Sequence, residues 1–231
     1  REHYYPRNAK DSLPGNSETV PVRIGDKLDL ITTAFSLRMI PSGAADPFAL
    51  RRNARGIIQL ILGLRISLDL NELTETSIRV LDEQQFLNLN RTKLQQELLE
   101  FLLQRQRWFF QEHGIRYDLI DAVLQITSDG RPSKNNKGKA ILPVEQLELA
   151  EYLSEHLETE LFKRSVEAIV RAENISNKYS NKIAEKLDES NLEITQEKNL
   201  FKAIQPILNT DQDSRLTPAD YLKLLHQIEP I

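Results

Sequence analysis

Three observations predict an all-α fold, a helical bundle. Apolar residues recur at spacings of three and four through most of the 231-residue chain. No segment sustains the period-two alternation of a strand, and only 8 glycines are present to serve tight turns. Each element follows from the same reasoning. Residues 1–16, rich in Pro, Asn and Tyr, read as a loop. From Val22 to Met39 the spacing of Ile24, Leu28, Ile31, Ala34 and Phe35 predicts a helix, which Pro41, Ser42 and Gly43 break. Asp46-Pro47 predicts the next start: the carboxylate caps free amides, and proline suits the first helical position. Leu50, Ala54, Ile57, Ile58 and Ile61 form its buried stripe, with Arg51, Arg52 and Arg55 largely off it.

A weaker helix is expected over about Leu70 to Leu81, a strong one from Arg91 to Glu112 stopped by Gly114, and a short one from Tyr117 to Ile126. Ser128 to Lys139 is polar and basic, and places a linker at 128–142 between a first region, 1–127, and a second, 143–231. Pro143 opens a long helical stretch with Leu149, Leu153, Leu157 and Leu161 spaced by four. A break near Asp188 to Asn191, a helix over Gln196 to Leu208, and a start at Thr217-Pro218 for a last helix to Ile231 complete the pattern.

Composition narrows the chemistry. Zero cysteines exclude disulfides, thiolate metal sites and cysteine nucleophiles. A mean hydropathy of -0.44 and the lack of a long uncharged apolar run exclude a helical membrane span, and no signal peptide is visible. With 30 Lys+Arg against 34 Asp+Glu the net charge is -4, so RNA binding must come from local basic patches. No phosphate loop, paired-glycine fingerprint or serine-nucleophile motif occurs, and His3, His113, His156 and His226 lack ligand spacing. Asp26 and Asp29 lie three apart on one helix face; they can hold a divalent ion or simply be capped and solvated. No catalytic residue and no metal ligand is assigned.

Three basic sets are candidates for RNA. Arg51, Arg52 and Arg55 crowd the positive end of their helix, where they bind a polyanion or pair with acids such as Asp46 or Asp29. Arg105 and Arg107 flank Trp108, Phe109 and Phe110, a mixture that can stack bases and hold phosphates, or be core. Arg164, Glu167, Arg171, Asn174 and Lys178, spaced three, four, three, four, make a continuous polar stripe, with Phe162, Val166, Ile169 and Val170 on other faces to dock it.

Four segments in order carry a resemblance: Glu2-His3-Tyr4-Tyr5-Pro6-Arg7, Gly25-Asp26-Lys27-Leu28-Asp29-Leu30, Ile40-Pro41-Ser42-Gly43, and Asp46-Pro47-Phe48-Ala49-Leu50-Arg51-Arg52 followed by Ala54 and Gly56-Ile57. The chain resembles the β subunit of bacterial-type glycyl-tRNA synthetase. Phe162-Lys163-Arg164 followed by Asn174-Ile175 is similar to a later basic segment of that family, with extra residues between. The resemblance implies the end of an HD-like helical region, then a helical anticodon-binding-type domain, with the chain starting inside the first and stopping two helices short of the family's usual end. It implies tRNA-Gly as ligand, and an α subunit as partner in an α2β2 heterotetramer or a fused α-β chain. That subunit carries the class II site and uses ATP and Mg; no cofactor is expected in this fragment, and no membrane or DNA partner. It implies a cytoplasmic location, or the chloroplast in a plastid-bearing source. Arg51, Arg52, Arg55, Arg105, Arg107, Lys163, Arg164, Arg171, Asn174 and Lys178 are the RNA-binding candidates. Two alternatives come from other classes. One is an HD-fold metal-dependent phosphohydrolase fragment, for which only Asp26 or Asp29 can supply the final aspartate. The other is a non-catalytic scaffold whose acidic run, Glu145 to Glu160, binds a basic partner.

Overall fold

A computed structural model describes residues 17–83, 90–124 and 140–178, together with residues 194, 195, 198, 199, 201 and 202. The expected N-terminal loop, the linker residues 128–139, the break near Asp188 and the final helix lie outside the described residues. The helices are α1 (Val20–Ser36), α2 (Leu50–Gly63), α3 (Leu70–Glu83), α4 (Arg91–Glu112), α5 (Tyr117–Leu124), α6 (Pro143–His156) and α7 (Glu160–Lys178). Among the described residues there is no strand, only an isolated bridge between Ser42 and Ala45, so the all-α expectation holds. The chain divides into two compact units, residues 1–150 and 151–231, the division falling inside α6.

In the first unit α1, α2, α3 and α4 pack on one another, and α5 packs on α4. Ile31, Ile57, Ile58, Leu98, Leu102, Phe110 and Ile120 are sealed from solvent. Each such side chain contributes about 1.5–3 kcal/mol of transfer free energy. Phe35 of α1 meets Phe101 of α4 with ring centroids 5.0 Å apart. A buried polar link crosses this core: Gln106 Nε2 donates to Gln146 Oε1 at 2.8 Å, and Gln146 Nε2 donates to the Val123 carbonyl at 3.3 Å. Asp69 Oδ1 accepts from the amides of Asn71 (2.9 Å) and Ile141 (2.7 Å), while the Leu70 amide donates to the Ile141 carbonyl at 2.9 Å. The starts of α3 and α6 are thereby stapled together.

Three helices end in the same reciprocal pair of backbone bonds, the sixth amide to the first carbonyl and the fifth to the second. Gly114 (φ 79°) ends α4 as expected, with Ile115 bonded to Phe110 and Gly114 to Gln111. Arg38 (φ 61°) ends α1 and Arg65 (φ 48°) ends α2 in the same manner. Left-handed backbone is costly for a residue with a Cβ. Both arginines reach other elements from there: Arg38 to Glu97 at 2.7 Å and Arg65 to Glu148 at 3.2 Å.

Two expectations need correction. Asp46 does cap α2, its two carboxylate oxygens accepting from the amides of Leu50 (2.8 Å) and Arg51 (3.0 Å). Pro47 is not the first helical residue, however. Ala49 adopts left-handed backbone (φ 53°), so a turn intervenes and the helix begins at Leu50. The long stretch from Pro143 is also two helices. The Thr159 hydroxyl donates to the His156 carbonyl (2.7 Å) and accepts from the Phe162 amide (3.2 Å), ending one helix and capping the next. In the second unit Phe162 is buried, while Val166 and Val170, expected to help dock α7, are 40% and 48% exposed. Further on, Thr195, Lys198, Asn199, Phe201 and Lys202 are helical.

Candidate nucleic-acid interface

The cations of the first unit gather where α2 starts. The helix packs on both α1 and α4, and its first turn brings Arg52 near Lys27 of α1 and Arg51 near Arg105 of α4. Burial, the nearby Arg23 and the nearby Arg52 all hold the Lys27 ammonium below its usual pKa; Asp26 opposes them, and burial is the largest effect. Lys27 also crosses the bare backbone of α2 at Gly56. A Cβ added there would stand 3.2 Å from Lys27 Cε. Arg23, only 1% exposed, lies one turn earlier on α1.

On the α4 side Arg105 is half-buried, with its guanidinium 4.9 Å from the centre of the Phe101 ring. Burial and the nearby Arg51 weaken its hold on its proton, and Asp46 partly offsets them. Its Nε is buried without a hydrogen-bond partner among the described residues. Four residues beyond Arg51, Arg55 makes a two-pronged pair with Glu112 at 2.7 and 2.8 Å. Asp46 itself is committed to the helix cap, and among the described residues neither Arg51 nor Arg52 makes an ion pair with it or with Asp29.

The remaining candidates are placed as follows. Arg107 pairs with Asp121 of α5. Trp108 is 54% exposed, Phe110 is fully buried, and Phe109 stacks on His113 with centroids 3.9 Å apart. On α7 the stripe Arg164, Glu167, Arg171, Asn174 and Lys178 is exposed along its whole length. Within it Arg171 approaches Glu167 at 3.9 Å, and beside it Lys163 pairs with Glu158 (3.6 Å) and Glu160 (3.5 Å). Asp26 and Asp29 are both exposed on α1. Among the described residues no group of three or more His, Cys, Asp or Glu is placed to hold a metal ion. No helix among them is long and apolar enough to cross a membrane.

Lys27 and Arg23 escaped the sequence reading. The signal that finds them is register: Lys27 falls three after Ile24 and four before Ile31, on the buried side of α1. A lysine at such a position keeps its charge only where its head reaches water or an anion.

The family described as glycyl-tRNA synthetase beta subunit matches residues 1–125. The chain belongs to that family. Relatives carry the match further. The glycine–tRNA ligase β subunit of Halalkalibacterium halodurans is 33% identical over 233 residues, covering 100% of this chain and 32% of its own length. That of Lactobacillus acidophilus is 32% identical over 231 residues, covering 100% of this chain and 31% of its own. That of Halothermothrix orenii is 36% identical over 179 residues, covering 77% of this chain and 24% of its own. This member of the family thus spans about a third or less of the relatives it matches.

Proposed function

We propose that this chain is the helical, RNA-holding part of a glycyl-tRNA synthetase β subunit, which positions tRNA-Gly for ATP-dependent glycylation by the class II site of an α subunit. The observation that carries the reading is the whole-chain likeness to proteins named glycine–tRNA ligase β subunit. Two features of the chain support the RNA part. Cations gather at the start of α2 despite a net charge of -4, and the α7 stripe leaves Arg164, Arg171 and Lys178 at the surface. Both offer contacts to phosphates, and Asn174 adds a group able to read a base edge. Catalytically the role is positional: a correctly held acceptor end converts a bimolecular encounter into an effectively intramolecular one. ATP and Mg belong to the α subunit, the assembly is an α2β2 tetramer or a fused chain, and the setting is the cytoplasm, or the chloroplast in a plastid-bearing source.

Titration of labelled tRNA-Gly against the chain tests this. Affinity is expected to fall steeply between about 50 and about 200 mM salt, because phosphate contacts release counterions. Arg164→Ala and Arg171→Ala are expected to weaken binding and flatten the salt dependence. Absence of tRNA binding by the parent chain sinks the RNA part of the reading. Failure of the full-length β subunit to restore glycylation by a purified α subunit sinks the catalytic part.

A further inference from the structure

Along the edge where α2 meets α4, one ion pair and one pair of electrostatic neighbours set the register. Arg51 lies beside Arg105, and Arg55 holds Glu112. The two helices therefore run in the same sense there. On α4, Phe101, Arg105, Trp108 and Glu112 are spaced four, three, four and share one stripe. Trp108 is thus on the edge between Arg105 and Glu112, and the indole is 54% exposed. Across the same turn of α2, Arg52 continues the row of cations to Lys27 of α1.

An exposed indole costs apolar hydration, and the gathered like charges, which Asp26 and Asp46 only partly offset, repel one another. Both are relieved by one kind of ligand, a polyanion carrying flat rings. A duplex hides its rings inside the stack; an unpaired strand offers them. We infer that Lys27, Arg52, Arg51 and Arg105 form a seat for the phosphates of an unpaired RNA segment, with a base stacked on Trp108. The inference rests on the RNA-binding reading above and names the surface, the contacted groups and the form of RNA.

Trp108 is the sole tryptophan of the chain, so its fluorescence reports this seat and nothing else. The test titrates the 231-residue chain with a labelled single-stranded RNA of about 12 nucleotides, with a blunt-ended RNA duplex of equal length, and with poly-glutamate. Label anisotropy reads binding anywhere; indole emission reads binding at the seat. The single strand is expected to quench Trp108 saturably, and the blunt-ended duplex and poly-glutamate to do so weakly or not at all. Lys27→Gln and Arg52→Gln are each expected to weaken the quenching transition and lower its log–log salt slope by about 0.7, the value of one phosphate contact on a single strand. Lys27→Arg is expected to keep both. Trp108→Ala, followed by anisotropy, is expected to lose about fivefold or more in affinity. Circular dichroism matching the parent certifies each variant as folded.

Single-stranded RNA that binds by anisotropy with no change in Trp108 emission overturns the seat and leaves the RNA-binding reading standing. Equal quenching by the blunt-ended duplex or by poly-glutamate overturns it too, since the surface then reads charge alone or belongs to an acidic protein segment. Absence of any RNA binding by the parent overturns the RNA-binding reading and the seat with it.

Discussion

Two neighbouring crossings of the same helix pair differ in sign. At one, Arg55 of α2 and Glu112 of α4 close into a two-pronged ion pair. At the other, one turn toward the start of α2, Arg51 faces Arg105. The packing beneath both is continuous, from Leu102 to Phe110. The packing beneath does not call for a cation pair at the upper crossing, where Arg105 rests on the Phe101 ring. What sets that crossing apart is two neighbouring cations where the other has an ion pair.

Converting the upper crossing into a copy of the lower one is the sharpest way to break the contrast. Arg105→Glu is expected to lower single-stranded RNA affinity by about tenfold or more at low salt, as a charge reversal at a phosphate site does, while the melting temperature holds or rises. A fall in melting temperature with unchanged affinity would assign Arg105 to the architecture instead.

Lys27→Met is expected to come next. It removes a half-buried ammonium that faces Arg23 and Arg52, with Asp26 alone opposing. Thermal melting at neutral pH is expected to rise, while RNA affinity falls several-fold, a familiar exchange of stability for function. The sign with pH follows from linkage. Lys27 has a folded pKa below its usual 10.5, so between the two values the unfolded chain binds more protons and stability grows as pH rises. The melting advantage of Lys27→Met is therefore expected to narrow as pH climbs toward 10.5; a gap that widens would contradict the assignment.

Glu112→Gln acts on the closed crossing. It is expected to cost no more than about 1 kcal/mol, in keeping with a partly exposed ion pair, read as a small drop in denaturation midpoint. RNA affinity is expected to stay the same or improve, since Arg55 is released. The smallest effect is expected from Gly56→Ala. Alanine favours the helix by roughly 0.5–1 kcal/mol over glycine, and the atoms it meets belong to the flexible end of Lys27. A slight gain in stability with a slight loss of RNA affinity, from a displaced ammonium, is the outcome to look for in paired melts and titrations.

What the sequence disclosed tracks how local the cause was. The α4 helix from Arg91 to Glu112 and its stop at Gly114 were legible because cap chemistry and periodicity act within a few residues. Asp46 was legible as a cap for the same reason, whereas the left-handed turn at Ala49 that delays α2 carries no residue-type signal, alanine being an improbable choice for it. The break at Thr159 was hidden by leucines spaced by four on both sides of it. Arg51 and Arg52 stood out as a run, but the like charges that give them meaning, Lys27 and Arg105, come from helices distant in sequence. Separation of Arg107, Lys163 and Arg171, which pair with acidic side chains, from Arg51 and Arg52, which make no ion pair among the described residues, likewise required three-dimensional contacts.

The junction at Asp69 has a consequence for how this family can vary. Because one carboxylate oxygen and one backbone bond hold Ile141 against Leu70, the start of α6 is fixed directly to the start of α3. Lengthening the α5–α6 connection adds only a slowly growing loop-closure entropy and leaves the entry angle of α6 unchanged. Insertions there are thus a cheap evolutionary variable, while Asp69 is the hinge pin on which their harmlessness depends.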